Sequence, residues 1–271
     1  MTIFKPNTQS GDFLLEVAFG NVADYHAINK FGHAPDCDSD VATDIWDGAD
    51  GLTGTDIWVA PTAARVHAIV SSDAEDDDAA DGDGMRTIMI HGLTSWTDTE
   101  ETREIVSLDG ATPVNTANAY VIIYRMMGMS FGVNATNAGI IKATAATDAT
   151  VTAVIQIGVG QTLMAIYAVP AQTRLAIYHI ATDMLANSSA DAIGRLIVET
   201  TVDQATSGER TQREWNFRRD SRYDTTIRPP MTVDGPAILK LQVVTDTVNV
   251  ACTGTFDGVI GHTDAPETST S

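Results

Sequence analysis

The chain has 271 residues, 36 of them acidic and 16 basic, for a net charge of −20. That length gives one large or two modest domains with a full hydrophobic core, and that charge repels phosphate backbones, which argues against nucleic acid as a partner. No apolar run approaches the roughly 18–20 residues of a bilayer span, and the start MTIFKPNTQSGDF lacks a signal-peptide core, so no membrane partner and synthesis in the cytoplasm are expected.

In chain order, residues 1–43 read as an N-terminal arm and connecting segment, with a short helix candidate at Asn21–Asn29. Residues 44–135 read as a β-rich first half. Its clearest strands are Arg65–Val70, Thr87–Ile90 and Tyr120–Tyr124, short β-branched or aromatic runs bounded by Gly, Asp, Asn or Pro. Ser71–Gly84 carries seven carboxylates among small residues and reads as a solvated loop unable to bury itself. Glu104–Leu108 and Ala111–Val114 flank Asp109-Gly110, a dipeptide that tolerates positive φ, and read as a hairpin.

A composition shift over Gly128–Gly139 marks the boundary to a second β-rich half, 136–262, expected as a sandwich. Val151–Ile157 and Gln161–Val169 flank Gly158-Val159-Gly160 as a second hairpin, and Pro170 should end the returning strand because it cannot donate to a ladder. Arg174–Ile180, Arg195–Thr201, Ile238–Val244 and Val248–Phe256 follow, and Leu241–Thr245 and Val248–Cys252 flank Asp246-Thr247 as a third, weaker hairpin. Residues 263–271 form a polar tail expected to fray. Closely spaced strands without strong helical periodicity predict an all-β fold, a β-sandwich of jelly-roll-like type in two β-rich halves, with little helix.

The chemistry-bearing residues are sparse. There is no G-x-S-x-G, P-loop, G-x-G-x-x-G or H-E-x-x-H pattern, and the six histidines are scattered, so no enzyme is expected. Cys37 and Cys252 lie far apart in sequence and read as two buried free thiols ahead of a single long-range disulfide. Asp36, Asp38 and Asp40 alternate like a calcium loop, but Val41 stands where the EF-hand needs Gly and Asp47 where it needs Glu. They remain a weak Ca²⁺ or Mg²⁺ candidate, with no other cofactor expected. Six of twelve arginines fall in residues 210–228, interleaved with Trp215, Phe217 and Tyr223. Arg and aromatic side chains are enriched in interfaces; Arg213, Trp215, Phe217, Arg218, Arg219 and Arg222 are therefore the candidate protein-contact surface, with ion pairing inside the subunit as the competing reading and nucleic-acid binding last, because the surrounding charge is negative. Trp46 and Trp58, in twin Asp-Ile-Trp segments, read as core residues ahead of interface anchors. Only four lysines occur, and Asp outnumbers Glu by 27 to 9; such a surface suits molar salt, where the Debye length falls to about 3 Å, and points to a halophilic source.

The block Asp44–Leu93, DIWDGADGLTGTDIWVAPTAARVHAIVSSDAEDDDAADGDGMRTIMIHGL, followed by ETREIVSLDGATPV (101–114), resembles virion structural proteins of tailed viruses, a group met in marine and haloarchaeal viruses. Gly139–Tyr178 and the C-terminal TFDGVI (255–260) resemble the same group. The resemblance carries no catalytic residues. It implies a capsid decoration (cement) protein on the outer surface of the virion, binding neighbouring major capsid protein subunits as a homotrimer or other homo-oligomer. A tail, baseplate or vertex-turret component is the alternative within that class, and a host-receptor or carbohydrate-binding β module the alternative outside it.

Overall fold

A computed structural model describes residues 12–49, 55–79, 82–185, 190–200, 208–219, 222–246 and 250–263. Strand character follows from alternation. β1 (Tyr25–Cys37) and β2 (Ala42–Asp44) precede β3 (His67–Ser71), which buries His67, Ile69 and Ser71 and turns Ala68 and Val70 away. β4 (Met85–Leu93), β5 (Thr102–Ser107) and β7 (Ile122–Phe131) form a three-stranded sheet, β5-β4-β7. β6 (Val114–Asn115), β8 (Ile141–Ala145) and β9 (Val151–Ile155) join β3 in the order β6-β3-β8-β9.

Two larger sheets tie the ends of the chain together. β11 (Thr173–Leu185), β14 (Tyr223–Asp234) and β16 (Val250–His262) join the first strand in the order β1-β16-β11-β14. β10 (Ile166–Val169), β12 (Asp191–Thr200), β13 (Gly208–Arg218) and β15 (Ala237–Thr245) lie as β10-β15-β12-β13, with β2 also on β15. All these ladders are antiparallel, and one hydrophobic cluster runs through the four sheets, from Ile69 and Ile88 to Leu241 and Phe256.

The chain is therefore all-β with little helix, as expected. The expectation of a single sandwich for the whole chain is corrected: among the described residues four sheets share one core, a propeller-like arrangement in sheet number. The pairings are not the local meanders of propeller blades, since β1 pairs β16 and β10 pairs β15. Pairing also crosses the line expected at 135/136, because β8 and β9 join β3. Within the expected arm, the helix lies at Phe13–Ala18 (α1), where Asp12 accepts the Leu14 N–H at 3.0 Å. Tyr25–Asn29, expected as helix, opens β1 instead. Its register against β16 runs from Tyr25 opposite Gly261 to Ala34 opposite Cys252, a long ladder that overrides weak local periodicity.

The three hairpins are corrected in the same way. β6 pairs β3 rather than β5, β9 and β10 belong to different sheets, and so do β15 and β16. Gly110, Gly158 and Gly160 do take positive φ, but a turn only reverses the chain. Among stacked sheets the returning strand finds its partner in another layer. Thr247 lies outside the described residues. Pro170 follows the last residue of β10, as expected. Of the tail 263–271 only Thr263 is described, and its N–H donates to Gln172 O at 2.9 Å.

The acidic loop is not wholly solvated. Asp76 is 0% exposed, and its carboxylate accepts from Ser71 Oγ, Met85 N, Ala138 N and Gly139 N at 2.6–2.8 Å. This carboxylate is thus an internal fastener, while Glu75, Asp78 and Asp83 are exposed and carry solvated charge.

His67 is another buried titratable group with a stability consequence. It is fully buried, its Nδ1 lies 2.9 Å from Arg65 O, and its ring stands edge-on to Tyr120. Burial pulls its pKa from 6.5 to about 4. The unfolded chain therefore takes up this proton first, so the contribution is complete above pH 6.5 and is lost as pH falls to 4. The shift corresponds to roughly 3 kcal/mol. Replacing His67 by Gln should remove that slope: urea unfolding of both proteins at pH 7 and pH 4.5 should show a gap that narrows on acidification. A gap of constant size would refute the assignment.

Candidate functional site

Among the described residues β13 and β14 each have one ladder partner, β12 and β11, which makes both sheet edges. The expected contact surface lies on them, but alternation splits it. Trp215 and Phe217 are 7% and 3% exposed and belong to the core. Trp215 stacks on Tyr223 with centroids 4.9 Å apart and donates Nε1–H to Thr182 Oγ1 at 2.9 Å. The indole lies flat over Gly194, where a Cβ would sit 2.4 Å from the ring. The aromatic part of the expected interface is therefore corrected to core packing.

Arg213 shares the inward parity of these residues and is half-buried, whereas Arg218, Arg219 and Arg222 are exposed, as are Arg210 and Arg228. Arg218 Nε pairs with Asp191 Oδ1 at 3.0 Å and Arg222 pairs with Asp224. Ion pairs this exposed are worth about 0–1 kcal/mol, so both guanidiniums can exchange partners at little cost. Trp46 and Trp58 are 1% and 2% exposed, which places both in the core.

The three alternating aspartates are not gathered into a ligand set. Asp36 lies in β1, the Asp38 carbonyl accepts from Thr245 Oγ1, and the Asp40 N–H donates to Thr245 O at 2.8 Å. The segment docks by its backbone on the end of β15. Among the described residues no three His, Cys, Asp or Glu side chains come together to hold a metal. Cys37 and Cys252 are free and buried on neighbouring strands; a hydrogen bond to Cys252 and burial push the Cys37 thiol pKa up, away from thiolate chemistry.

Two clefts bring together side chains that no motif announces. In one, of about 790 Å³, His33 Nδ1 lies 3.1 Å from Asp47 Oδ1, and burial raises the Asp47 pKa. The other, of about 640 Å³, lies where β1 and β16 meet β4, β7 and the loop before β5. Glu101 is its polar centre. Burial pushes this carboxyl upward, but hydrogen bonds from His91, Tyr124 and Arg103 outweigh it and hold the pKa at about 2. Tyr124 Oη–H donates to Glu101 Oε2 at 2.6 Å, and the same oxygen lies 3.3 Å from His91 Nδ1.

Lys30 is 3% exposed; its Nζ donates to Tyr124 O at 2.5 Å and sits 5.5 Å from the Tyr124 ring centroid. Burial, and then the Arg125 cation, lower its pKa well below the usual lysine value. Arg125 donates to Asn29 O at 2.8 Å. Among the described residues neither cation forms an ion pair, Glu101 being engaged by His91 and Arg103. Sequence reasoning missed this site because its members come from β1, β4, the segment before β5, and β7. Two signals pointed toward it: Lys30 is one of only four lysines, and Arg125 interrupts the apolar run Tyr120–Met127.

Comparison with protein-family models, curated proteins and solved structures gives no match to this chain.

Proposed function

We propose that the chain is a structural component of a viral particle: a capsid decoration protein that binds neighbouring major capsid subunits from the outer surface, as a homo-oligomer and without catalysis. Strand order carries this reading. With β1 and β10–β16 counted as eight strands, the two large sheets read 1-8-3-6 and 2-7-4-5. That is the order of two interlocked Greek keys, the jelly roll found in viral capsid and lectin domains. In this reading β2–β9 are an insertion between its first two strands. A fold alone names no function; the exposed arginines of the β13–β14 edge supply the contact surface, and the resemblance of residues 44–93, 101–114, 139–178 and 255–260 to virion proteins points the same way.

The test is the double substitution Arg218→Glu and Arg219→Glu. The Arg218 side chain is 75% exposed, so the thermal transition should stay within about 0.5 kcal/mol of the parent, as for surface changes generally. Cosedimentation with capsids lacking the protein should fall at least tenfold. Attachment at parental levels would show that the β13–β14 edge is not the interface.

A further inference from the structure

We propose that the cleft around Lys30 and Arg125 binds a sugar acid of hexuronate size, with its carboxylate lying between the two cations. The inference does not rest on the particle reading and would hold for this fold in any role.

The argument begins with charge. In a chain of 36 acids and 16 bases, a cation has many carboxylates within reach, yet Lys30 and Arg125 stand side by side without an ion pair among the described residues. Each raises the cost of the other; Lys30 is withdrawn from water and Arg125 is half-buried, and Glu101 acts on both without pairing with either. Two such cations at a concave surface are stabilised by an anion that enters between them. Arg125 presents a planar fork suited to a carboxylate, and Lys30 a point charge. His91, on the same wall, keeps its Nε2 buried with no hydrogen-bond partner among the described residues.

The other lining groups narrow the class. Asp24, Glu100 and Glu101 also face the cleft and repel a second negative charge, which favours a carboxylate over a phosphate dianion. Asp24, Thr99 and the Asn29 amide, which also donates to Asp257, offer acceptors and donors for hydroxyl groups that a fatty acid would not use. The volume, about 640 Å³, falls inside the roughly 300–1,000 Å³ of small-molecule sites. A carboxylate on a hydroxylated ring meets each of these demands.

Isothermal titration of the full-length protein with sodium D-glucuronate is the test, with D-glucose and inorganic phosphate as comparisons at equal ionic strength. Glucuronate should saturate one site per chain, at least tenfold tighter than either comparison. Arg125→Gln should weaken it tenfold or more with an unchanged thermal transition, and Arg174→Gln, outside the cleft, should leave it unaltered. Lys30→Met should weaken it as much; if that variant fails to fold, Arg125→Gln alone decides. No saturable binding, phosphate binding tighter than glucuronate, or parental affinity in Arg125→Gln would each overturn the proposal. The methyl glycoside of glucuronate separates the sources within it: equal affinity supports an acid carried on a glycan, and exclusion supports a free sugar acid.

Discussion

Asp76→Ala should lower the stability of the fold by about 3–5 kcal/mol, the cost of breaking a buried hydrogen-bonded charge network. The carboxylate holds four donors from three separate stretches of chain. Ser71 ends β3, Met85 opens β4, and Ala138 and Gly139 lead into β8. Alanine removes the acceptor and leaves three backbone N–H groups facing a void, each costing roughly 1–3 kcal/mol unless water enters. The expected fall in Tm is on the order of 10 °C, at about 2–4 °C per kcal/mol for a chain of this size class. Asp76→Asn should recover less than half of the loss, because its amide NH₂ meets donors where an oxygen stood. Hydrogen exchange should speed up first at Met85, Ala138 and Gly139. A loss below about 1 kcal/mol in both variants would mean that the loop holds itself without this carboxylate, as an exposed charge would.

Lys240→Met should cost a comparable 3–5 kcal/mol or so, because it strands Asp44 without its cation. Asp44 and Lys240 are 0% and 2% exposed, 3.4 Å apart, and anchored by Gln242 Nε2 and the Trp58 N–H on the carboxylate, each at 3.0 Å. Burial pushes the Asp44 pKa up even against the pull of Lys240, Gln242 and Trp58. Burial pulls Lys240 down, but Asp44, Glu209 and Glu199 together hold it above its usual value. Without Lys240 the carboxyl rises further and carries a proton in the folded state. Its folded pKa, already above the unfolded one, then exceeds it by more, so the deficit of the variant should be largest at neutral pH and shrink as pH falls toward the ordinary carboxylate range. The double variant Lys240→Met with Asp44→Leu should be more stable than Lys240→Met alone. Urea unfolding of the four proteins checks this as a double-mutant cycle; additive losses would show that the pair is not coupled.

The sequence by itself determined the class of the fold and where many of its strands lie. Ile69 flanked by Ala68 and Val70, or the apolar run ending at Pro170, report burial and strand ends within a few residues, and the protein uses them as expected. The same alternation, applied to Arg213–Arg218, would have placed Trp215 and Phe217 in the core; the aromatic–arginine composition of that segment pointed instead to an interface. Of the cleft, only oddities were legible: a rare lysine at Lys30 and a lone cation, Arg125, in an apolar run.

What the tertiary structure decided was partnership. Asp109-Gly110 turns the chain, yet Val114 pairs with Ile69; Tyr25–Asn29 is strand because β16 lies beside it; Asp76 is buried because Met85, Ala138 and Gly139 point their N–H groups at one place. A window of a few residues encodes which face of a strand is apolar. The choice of neighbour is a sum over ladders and side chains that are distant in sequence, settled only when all four sheets close on their common core.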